Sequence, residues 1–147
     1  MASYLVDTNI LLRASDPGSL HYQLAIQALT RLAAAGAEVY ITPQNLIEFW
    51  AVATRARDAN GFGWSVAKAA LEIEQLRKSF LFLEDTPDVF IHWRSLVTTY
   101  GITSKRVHDT RLVAVMLAHG VTHFLTFNTD DFKTFTNITL VHPDEVA

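Results

Sequence analysis

The chain contains no cysteine in its 147 residues, which excludes disulfide cross-links, thiolate metal sites and cysteine nucleophiles. Glycine and proline are scarce, at 6 and 4 residues, and no repeat or linker-like stretch divides the sequence. No apolar run approaches the roughly 18 residues that a membrane span needs. Because Asp7 interrupts the first apolar stretch, the N-terminus lacks the pattern of a signal peptide. These absences predict a soluble, cytoplasmic protein.

Basic residues are too few to give the chain a global positive charge. The sequence has 12 Lys and Arg against 15 Asp and Glu, a formal net charge of −3 with histidines neutral. A polyanionic substrate would therefore need local basic residues. Half of the residues are hydrophobic and 11% are aromatic, which argues against disorder. A chain of this length typically forms one domain, so we predict a single domain over residues 1–147.

Short apolar runs alternate with longer helical patterns, which is typical of βαβ units and a parallel sheet. A doubly wound α/β sandwich is therefore predicted, and such sheets bind ligands beyond the carboxyl ends of their strands. The five predicted strands are Tyr4–Val6, Val39–Thr42, Phe80–Leu83, His123–Phe127 and Ile138–Val141.

Helix boundaries are indicated by capping and breaking residues. Thr42-Pro43 and Thr86-Pro87 are typical helix starts, with Thr as N-cap and Pro in the first turn, and Ser104 is a third candidate cap. The segment Leu112–Ala118 is apolar all round, which predicts the most buried helix. The segment Asn60–Gly63 has the composition of a flexible loop. The predicted helices are His21–Ala35, Pro43 to about Arg57, Trp64–Ser79, Pro87 to about Gly101 and Lys105–His119.

Three carboxylates stand in apolar surroundings, unlike most acids of this chain. Asp7 interrupts the first strand run, Glu48 interrupts Leu46–Trp50, and Asp109 begins the most apolar helix. A buried carboxylate must be paired, hydrogen-bonded, protonated or bound to a metal, and no basic residue lies in the same apolar runs. In a doubly wound sheet these three can converge at one edge, where a divalent cation keeps them ionised together. Oxygen-only ligands favour Mg²⁺ or Mn²⁺ over Zn²⁺.

Each of these carboxylates also has a purely structural explanation. Asp7 can cap the turn that follows it, Glu48 can extend from a half-exposed helix face, and Asp109 can complement the helix dipole. The three explanations are independent of one another. Their joint occurrence in one α/β layout therefore favours a metal site.

Four short motifs follow one another along the chain. Asp7-Thr8-Asn9 follows the first strand, Glu48 lies in Pro43–Phe49, Asp109 lies in His108–Leu112, and Thr126–Phe132 follows the fourth strand. In this order they resemble the PIN-domain ribonucleases, and within them the VapC-type toxins of bacterial toxin–antitoxin modules. The resemblance implies a PIN-like α/β fold, a three-layer sandwich around a central, mostly parallel five-stranded sheet.

The chain departs from the family pattern at the fourth acidic position. That position falls on Asn128, which is not acidic. Either Asn128 orients a metal-bound water through its amide, or a neighbouring acid, Asp130 or Asp131, supplies the missing charge. We include Asp130 among the catalytic candidates. The choice between one and two metal ions depends on this position.

The resemblance implies a Mg²⁺-dependent endoribonuclease that leaves a 5′-phosphate and a 3′-hydroxyl, with Mn²⁺ as a possible substitute. Asp7 and Asp109 would ligate the ion directly, and Glu48 would ligate it or hold its water. Asn9, Thr126 and Asn128 would position these groups. The resemblance also implies an antitoxin protein partner, inhibition of translation and a homodimer.

Basic and aromatic residues near these motifs are candidates to hold RNA. Arg13, Arg55 and Arg111 lie near the predicted site elements, and Arg55, seven residues after Glu48, falls on nearly the same helical face. Ordinary solvated surface is the alternative for each arginine. Trp64 is the one tryptophan interpreted as a candidate for base stacking. The others, Trp50 and Trp93, fit the core or a subunit interface.

Two other classes of function stay open. The missing fourth acid is compatible with a non-catalytic binding module of the same fold. In a receiver-type or phosphatase-type domain for phosphoryl transfer, Asp85 would be the acid after the third strand. That class fits poorly, because one acid follows the first strand and Asn9 stands where such a phosphatase has a second Asp.

Overall fold

The computed structural model describes residues 2–147, in which five strands form one parallel sheet. The strands are β1 (Ser3–Val6), β2 (Glu38–Ile41), β3 (Leu81–Phe82), β4 (His123–Leu125) and β5 (Thr139–Val141). Their order is β3-β2-β1-β4-β5, so the first strand of the chain lies at the centre. Leu5 of β1 is in register with Tyr40 of β2 and with Phe124 of β4. The predicted five-stranded α/β architecture is confirmed, and every strand pair is parallel.

Six helices cover the two faces of the sheet. They are α1 (Thr8–Ala14), α2 (Tyr22–Ala34), α3 (Pro43–Thr54), α4 (Val66–Ser79), α5 (Pro87–Tyr100) and α6 (Arg106–His119). Successive residues of a strand point to opposite faces, so Leu5 packs with α5 and α6 whereas Val6 packs with α1, α2 and α3. The two cores make a three-layer sandwich. No helix in residues 2–147 is long and apolar enough to cross a membrane.

The apolar middle of α6 is buried on all sides, as its composition predicts. Its residues Leu112–Met116 are at most 1% exposed and pack with Leu5, Phe124 and the residues of α5. The helix ends at Gly120, whose φ of 70° lies in the left-handed region that glycine adopts without strain. A rigid, buried α6 fixes the position of the acidic residue in its first turn.

Several boundaries differ from the sequence predictions. The short helix α1 was not predicted, because seven residues are too few to display a clear helical period. The helix α3 ends at Thr54, and β4 ends at Leu125. Ser104 does not cap α6: it has a φ of 57°, and Lys105 holds the N-cap position without a side-chain hydrogen bond.

The segment Asn60–Gly63 is held against the end of α3 and is not the free loop that its composition suggests. The N–H of Phe62 donates to the carbonyl of Val52 at 3.2 Å, and the N–H of Gly63 donates to the carbonyl of Arg55 at 2.8 Å. A Cβ at Gly61 would lie 2.0 Å from the Arg55 carbonyl oxygen. Glycine is therefore needed there for close approach of two backbones.

Candidate active site and metal centre

The predicted acids lie around the carboxyl end of β1. Asp7 follows β1 and is the N-cap of α1, Glu48 lies on α3, and Asp109 lies in the first turn of α6. The helices α1 and α3 follow the parallel strands β1 and β2, so both begin at the same edge, whereas α6 follows α5. The charges of Asp109 and Glu48 both act to raise the pKa of Asp7. The three carboxylates therefore lie within electrostatic range of one another.

Asp7 is buried, with 8% of its surface exposed, and its two oxygens have different partners. Oδ1 accepts the backbone N–H of Thr8 at 2.7 Å, which caps α1, and Oδ2 accepts the hydroxyl of Thr126 at 2.8 Å. Burial is the main cause that raises the pKa of Asp7 to about 7; the charge of Asp109 adds to it, while the two hydrogen bonds lower it. Asp7 thus serves as a cap and still carries an uncompensated charge.

Glu48 is half-buried and held at both carboxylate oxygens. The hydroxyl of Thr8 donates to Oε1 at 2.6 Å, and the Gln44 amide donates to Oε2 at 3.1 Å. Thr8 immediately follows Asp7, so one residue connects the two acids. Glu48 is therefore aimed at the site by neutral donors and does not extend freely into solvent.

Asp109 lies half-buried beside a further acid. Its pKa is raised, first by burial and then by the charges of Glu48 and Asp131, and the charges of Arg106 and His108 partly offset this. A place in the first turn of α6 also suits the helix dipole. The site thus contains two carboxyl groups, Asp7 and Asp109, whose ionised forms lack sufficient compensation from this chain.

The three candidates for the fourth acidic position, Asn128, Asp130 and Asp131, lie in different environments. Asp130 is fully exposed and pairs with Lys133 at 2.6 Å, which lowers the pKa of Asp130. Asp131, the next residue, is close enough to Asp109 for its charge to raise the pKa of that group. Asn128 is exposed, and its backbone N–H donates to the Thr126 hydroxyl at 2.9 Å.

The Thr126 hydroxyl links three residues of the candidate site. It donates to Asp7 and accepts from the Asn128 N–H, and the Asn9 amide approaches the same oxygen at 3.5 Å. The Asn9 side-chain oxygen is buried and has no hydrogen-bond partner. An unsatisfied buried acceptor is rare in proteins and marks this network as able to accept another donor or a cation.

Two further polar residues, Asn45 and Gln44, were missed by the sequence reasoning. Asn45 is fully buried, completes a capping box with Thr42, and donates to the Val6 carbonyl at 3.2 Å and the Thr8 hydroxyl at 3.0 Å. The Thr-Pro-x-Asn spacing of a capping box could have identified it. Gln44 donates to Glu48 and to the carbonyl of His108. Only its spacing of four residues from Glu48 hinted at that contact.

The three candidate arginines lie in different settings. Arg111 is half-buried, pairs with Asp85 at 3.1 Å and donates to Gln44 at 3.2 Å. Arg13 is exposed in the last turn of α1. Arg55 lies beyond the end of α3 in extended backbone, so the expected helical alignment with Glu48 is wrong. The helix stops one residue earlier because the following loop folds back onto its last carbonyls.

The donor set fits a hard divalent cation. The site offers carboxylate and amide oxygens, Asp7 takes part in no salt bridge in residues 2–147, and the Asn9 oxygen is unsatisfied. Within the same residues, no three Asp, Glu or His side chains stand close enough to form a ready-made ligand group. Asp7 and Glu48 are each held instead by their own hydrogen bonds, and the acids lie on separate elements. The residues fit the ion in chemistry but do not close around it.

The acid after the third strand does not join this group. Asp85 follows β3, the edge strand, which lies two strands away from β1. Neighbouring strands are about 4.8 Å apart, so the separation is roughly 10 Å. Asp85 also pairs with Arg111. The arrangement of a receiver-type phosphoacceptor site is therefore absent here.

Comparison with solved structures shows the same fold. The chain is similar to one in the VapBC-1 structure from nontypeable Haemophilus influenzae, at 15% identity and a TM-score of 0.72, with 97% of this chain and 98% of that chain covered. A toxin-antitoxin complex from Klebsiella pneumoniae gives 21% identity and a TM-score of 0.66, covering 95% and 97%. Mycobacterium tuberculosis VapC20, a toxin that cleaves the sarcin-ricin loop, gives 21% and 0.64, covering 90% and 95%.

The sequence comparison identifies the family. No curated protein matches the sequence significantly. Residues 4–137, however, match the PIN domain, and this range contains every acid of the candidate site. The chain therefore belongs to the PIN domain family, the nuclease family whose motifs its sequence resembles.

Proposed function

We propose that this protein is a divalent-metal-dependent endoribonuclease and the toxin of a toxin–antitoxin pair. The observation that carries the proposal is the buried Asp7 carboxylate, which stands at the carboxyl end of the central strand without a basic partner. The charges of Glu48 and Asp109 act on it from neighbouring elements. Such a group of acids is stable in the ionised state when it shares a cation.

Asp7 and Asp109 are the proposed metal ligands, and Glu48 ligates the ion or holds its water. When bound, Mg²⁺ lowers the pKa of a coordinated water and neutralises charge that develops on the phosphate oxygens. Thr126 orients Asp7, and Thr8 and Gln44 orient Glu48 through the hydrogen bonds described above. Attack by an external water leaves a 5′-phosphate and a 3′-hydroxyl and does not require the RNA 2′-hydroxyl.

For the fourth acidic position we propose Asp131 in preference to Asp130. The charge of Asp131 reaches Asp109, whereas Asp130 is fully exposed and paired with Lys133. Asp131→Asn is expected to lower cleavage by about 10-fold or more, the effect of a lost supporting carboxylate, and Asp130→Asn to leave it near the wild-type rate. The reverse pattern of rates would assign the position to Asp130.

A partner protein follows from the structural relatives, which include toxin-antitoxin complexes. We infer that a cognate antitoxin covers the acidic edge of this chain, that the chain forms a homodimer, and that it inhibits translation in the cytoplasm by cutting RNA. Expression in a bacterial host tests the last inference. The wild-type chain is expected to reduce incorporation of a labelled amino acid, and Asp7→Asn is not; equal incorporation in both contradicts a toxin role.

Incubation of the purified protein with total cellular RNA tests the nuclease proposal. Cleavage is expected with Mg²⁺, is expected to stop with EDTA, and is expected to fall below about 1% of wild type in Asp7→Asn and Asp109→Asn. Asp58→Asn is the matched control, because Asp58 is exposed and lies outside the site. RNA binding without cleavage would favour the non-catalytic binding module.

A further inference from the structure

A pocket of about 370 Å³ opens between the first turns of α5 and α6. Its floor contains the rings of Phe90 and Trp93, and its rim contains His108 and Arg111. The volume lies near the lower end of the range of about 300–1,000 Å³ for small-molecule sites. The pocket lies beside the candidate active site, because His108 immediately precedes Asp109. None of its lining residues has a role in the mechanism proposed above.

The aromatic floor is rigid and accessible. The rings of Phe90 and Trp93 are stacked, with centroids 5.8 Å apart and planes 29° apart. The Trp93 indole N–H donates to the Val107 carbonyl at 2.8 Å, which fixes its ring against α6. Phe90 is 62% exposed, so part of this aromatic floor is open to solvent. An exposed ring on a fixed base is a platform on which another flat ring can stack.

The polar rim is connected to the acidic site through Gln44. The guanidinium of Arg111 donates to the Gln44 side-chain oxygen at 3.2 Å and pairs with Asp85 at 3.1 Å. The Gln44 amide nitrogen donates to Glu48 at 3.1 Å and to the His108 carbonyl at 2.8 Å. A single side chain therefore separates the pocket from a proposed metal-site residue. A group in the pocket would be close to a phosphate held at the acidic edge.

Charge also suits a nucleic acid at this position. Three basic residues, Lys105, Arg106 and Arg111, lie at or near the start of α6 on a protein whose net charge is −3, and Arg111 is the one that lines the pocket. Cations next to an aromatic platform are the combination with which proteins hold single-stranded RNA. Another groove, lined by Leu46, Ile47, Trp50 and Ile73, is wholly apolar and lacks such cations. The pocket between α5 and α6 combines an aromatic pair with the Arg111 guanidinium beside the acidic site, which suits a base with its phosphate.

We infer that this pocket binds one nucleobase of single-stranded RNA, next to the phosphate that is cut. The base stacks on Phe90 and Trp93, and Arg111 contacts its edge or the adjoining phosphate. The inference rests on the proposed ribonuclease function and names a specificity-determining subsite for its substrate. Trp93 packs partly buried against the core, as the sequence predicts, and also has this role. The ring of Trp64 packs instead against Phe49, Phe62 and Lys68.

The test measures binding of a short fluorescent single-stranded RNA to protein that carries Asp7→Asn, so that no cleavage occurs. Adding Phe90→Ala is expected to raise the Kd about tenfold, the size of one base–aromatic stack, while Phe90→Tyr keeps the Kd within about twofold. Ile91→Ala is the matched control: Ile91 is 64% exposed on the same helix and does not line this pocket. An equal Kd for Phe90→Ala and Ile91→Ala would overturn the inference.

Two further readouts separate this inference from its alternatives. The first uses an RNA that lacks the base next to the phosphate that is cut. With this abasic RNA, Phe90→Ala is expected to raise the Kd less than it does with the intact RNA. Sedimentation of each variant detects the other type of occupant: weakened self-association in Phe90→Ala with an unchanged Kd for RNA would assign the pocket to a protein interface and overturn the inference.

If the wild type cleaves RNA while Phe90→Ala has no effect on Kd or cleavage, only the subsite fails. If Phe90→Ala weakens RNA binding but the wild type never cleaves, only the nuclease proposal fails.

Discussion

At the scale of single residues, Asp7 is the acid whose buried surroundings most strongly disfavour its ionised form. It caps α1 and accepts two hydrogen bonds, yet the residue is only 8% exposed and has no cationic partner within residues 2–147. Buried groups that lower the stability of a fold are concentrated at functional sites. Asp7 is therefore expected to destabilise the metal-free fold and to serve the bound state.

The pH dependence of stability in EDTA tests this effect of burial on Asp7. The folded pKa of about 7 lies above the unfolded value of 3.8, so between these values only the folded state holds the proton. The contribution of Asp7 to the free energy of unfolding is therefore largest at low pH. It decreases as pH rises from about 4 to 7 and stays constant above pH 7. Asp7→Asn is expected to remove this fall, on the order of 4 kcal/mol, in urea titrations at each pH. A wild type and an Asp7→Asn variant with parallel pH profiles would contradict the burial argument.

Thr126 has a positioning role that a second set of variants tests. Thr126→Val removes the donor to Asp7 and the acceptor of the Asn128 N–H, so cleavage is expected to fall about 10–100-fold. Thr126→Ser keeps the hydroxyl and is expected to restore most of the rate. Thr110→Val is the matched control, because Thr110 is equally buried but its hydroxyl donates to a carbonyl within α6. Loss of activity in Thr110→Val of the same size would show a merely structural effect.

At the scale of elements, the site depends on helix starts that are tied to the central strand. The first turns of α1 and α3 are joined because Asn45 donates to both the Val6 carbonyl and the Thr8 hydroxyl. Thr8 in turn donates to Glu48. One buried amide thus sets the distance between the two elements that carry Asp7 and Glu48.

Asn45→Ala is expected to destabilise the fold by about 2–4 kcal/mol, because it leaves buried donors and acceptors unsatisfied and removes half of the capping box. Chemical denaturation measures this loss. Ser65→Ala removes a comparable but exposed N-cap at α4 and is expected to cost only about 1 kcal/mol. An equal loss in both variants would show that Asn45 acts as a simple cap.

At the scale of the whole molecule, the parallel sheet brings distant segments to one edge. Asp7 and Thr126 are hydrogen-bonded although 119 positions separate them in the chain. With β1 at the centre and α6 packed against it, the acids Asp7 and Asp109 lie at the ends of well-buried elements. A cation that binds there stabilises the folded state as a whole.

Thermal unfolding with added metal tests this coupling. The wild-type Tm is expected to rise by roughly 5–10 °C when Mg²⁺ or Mn²⁺ is present at about 100 times its Kd. Asp7→Asn and Asp109→Asn are expected to show almost no rise, and EDTA should reverse it in the wild type. A rise of the same size in Asp7→Asn would place the metal elsewhere.

Much of this description follows from local sequence patterns. Alternating apolar runs predict the strands to within a few residues, Thr42-Pro43 predicts the start of α3, and an uninterrupted apolar segment predicts the buried α6. Acids within apolar runs predict the candidate site. These features can be predicted from the sequence because each depends on neighbouring residues within one or two helical turns or strand repeats.

The short helix α1, the fold-back of Asn60–Gly63 and the choice between Asp130 and Asp131 have no such local signal. Adjacent acids have the same composition and differ only in the direction that the turn after β4 gives them. Gln44, four residues before Glu48, contacts His108 and Arg111, which lie 64 and 67 positions away from it in the chain.

The sequence by itself determined that this is an α/β protein with acids placed at strand and helix ends. Only the tertiary structure decided which acids act on one another and that an aromatic pocket adjoins them. The physical reason is that periodicity and capping are local, whereas the meeting of side chains depends on strand order and on hydrogen bonds between distant segments.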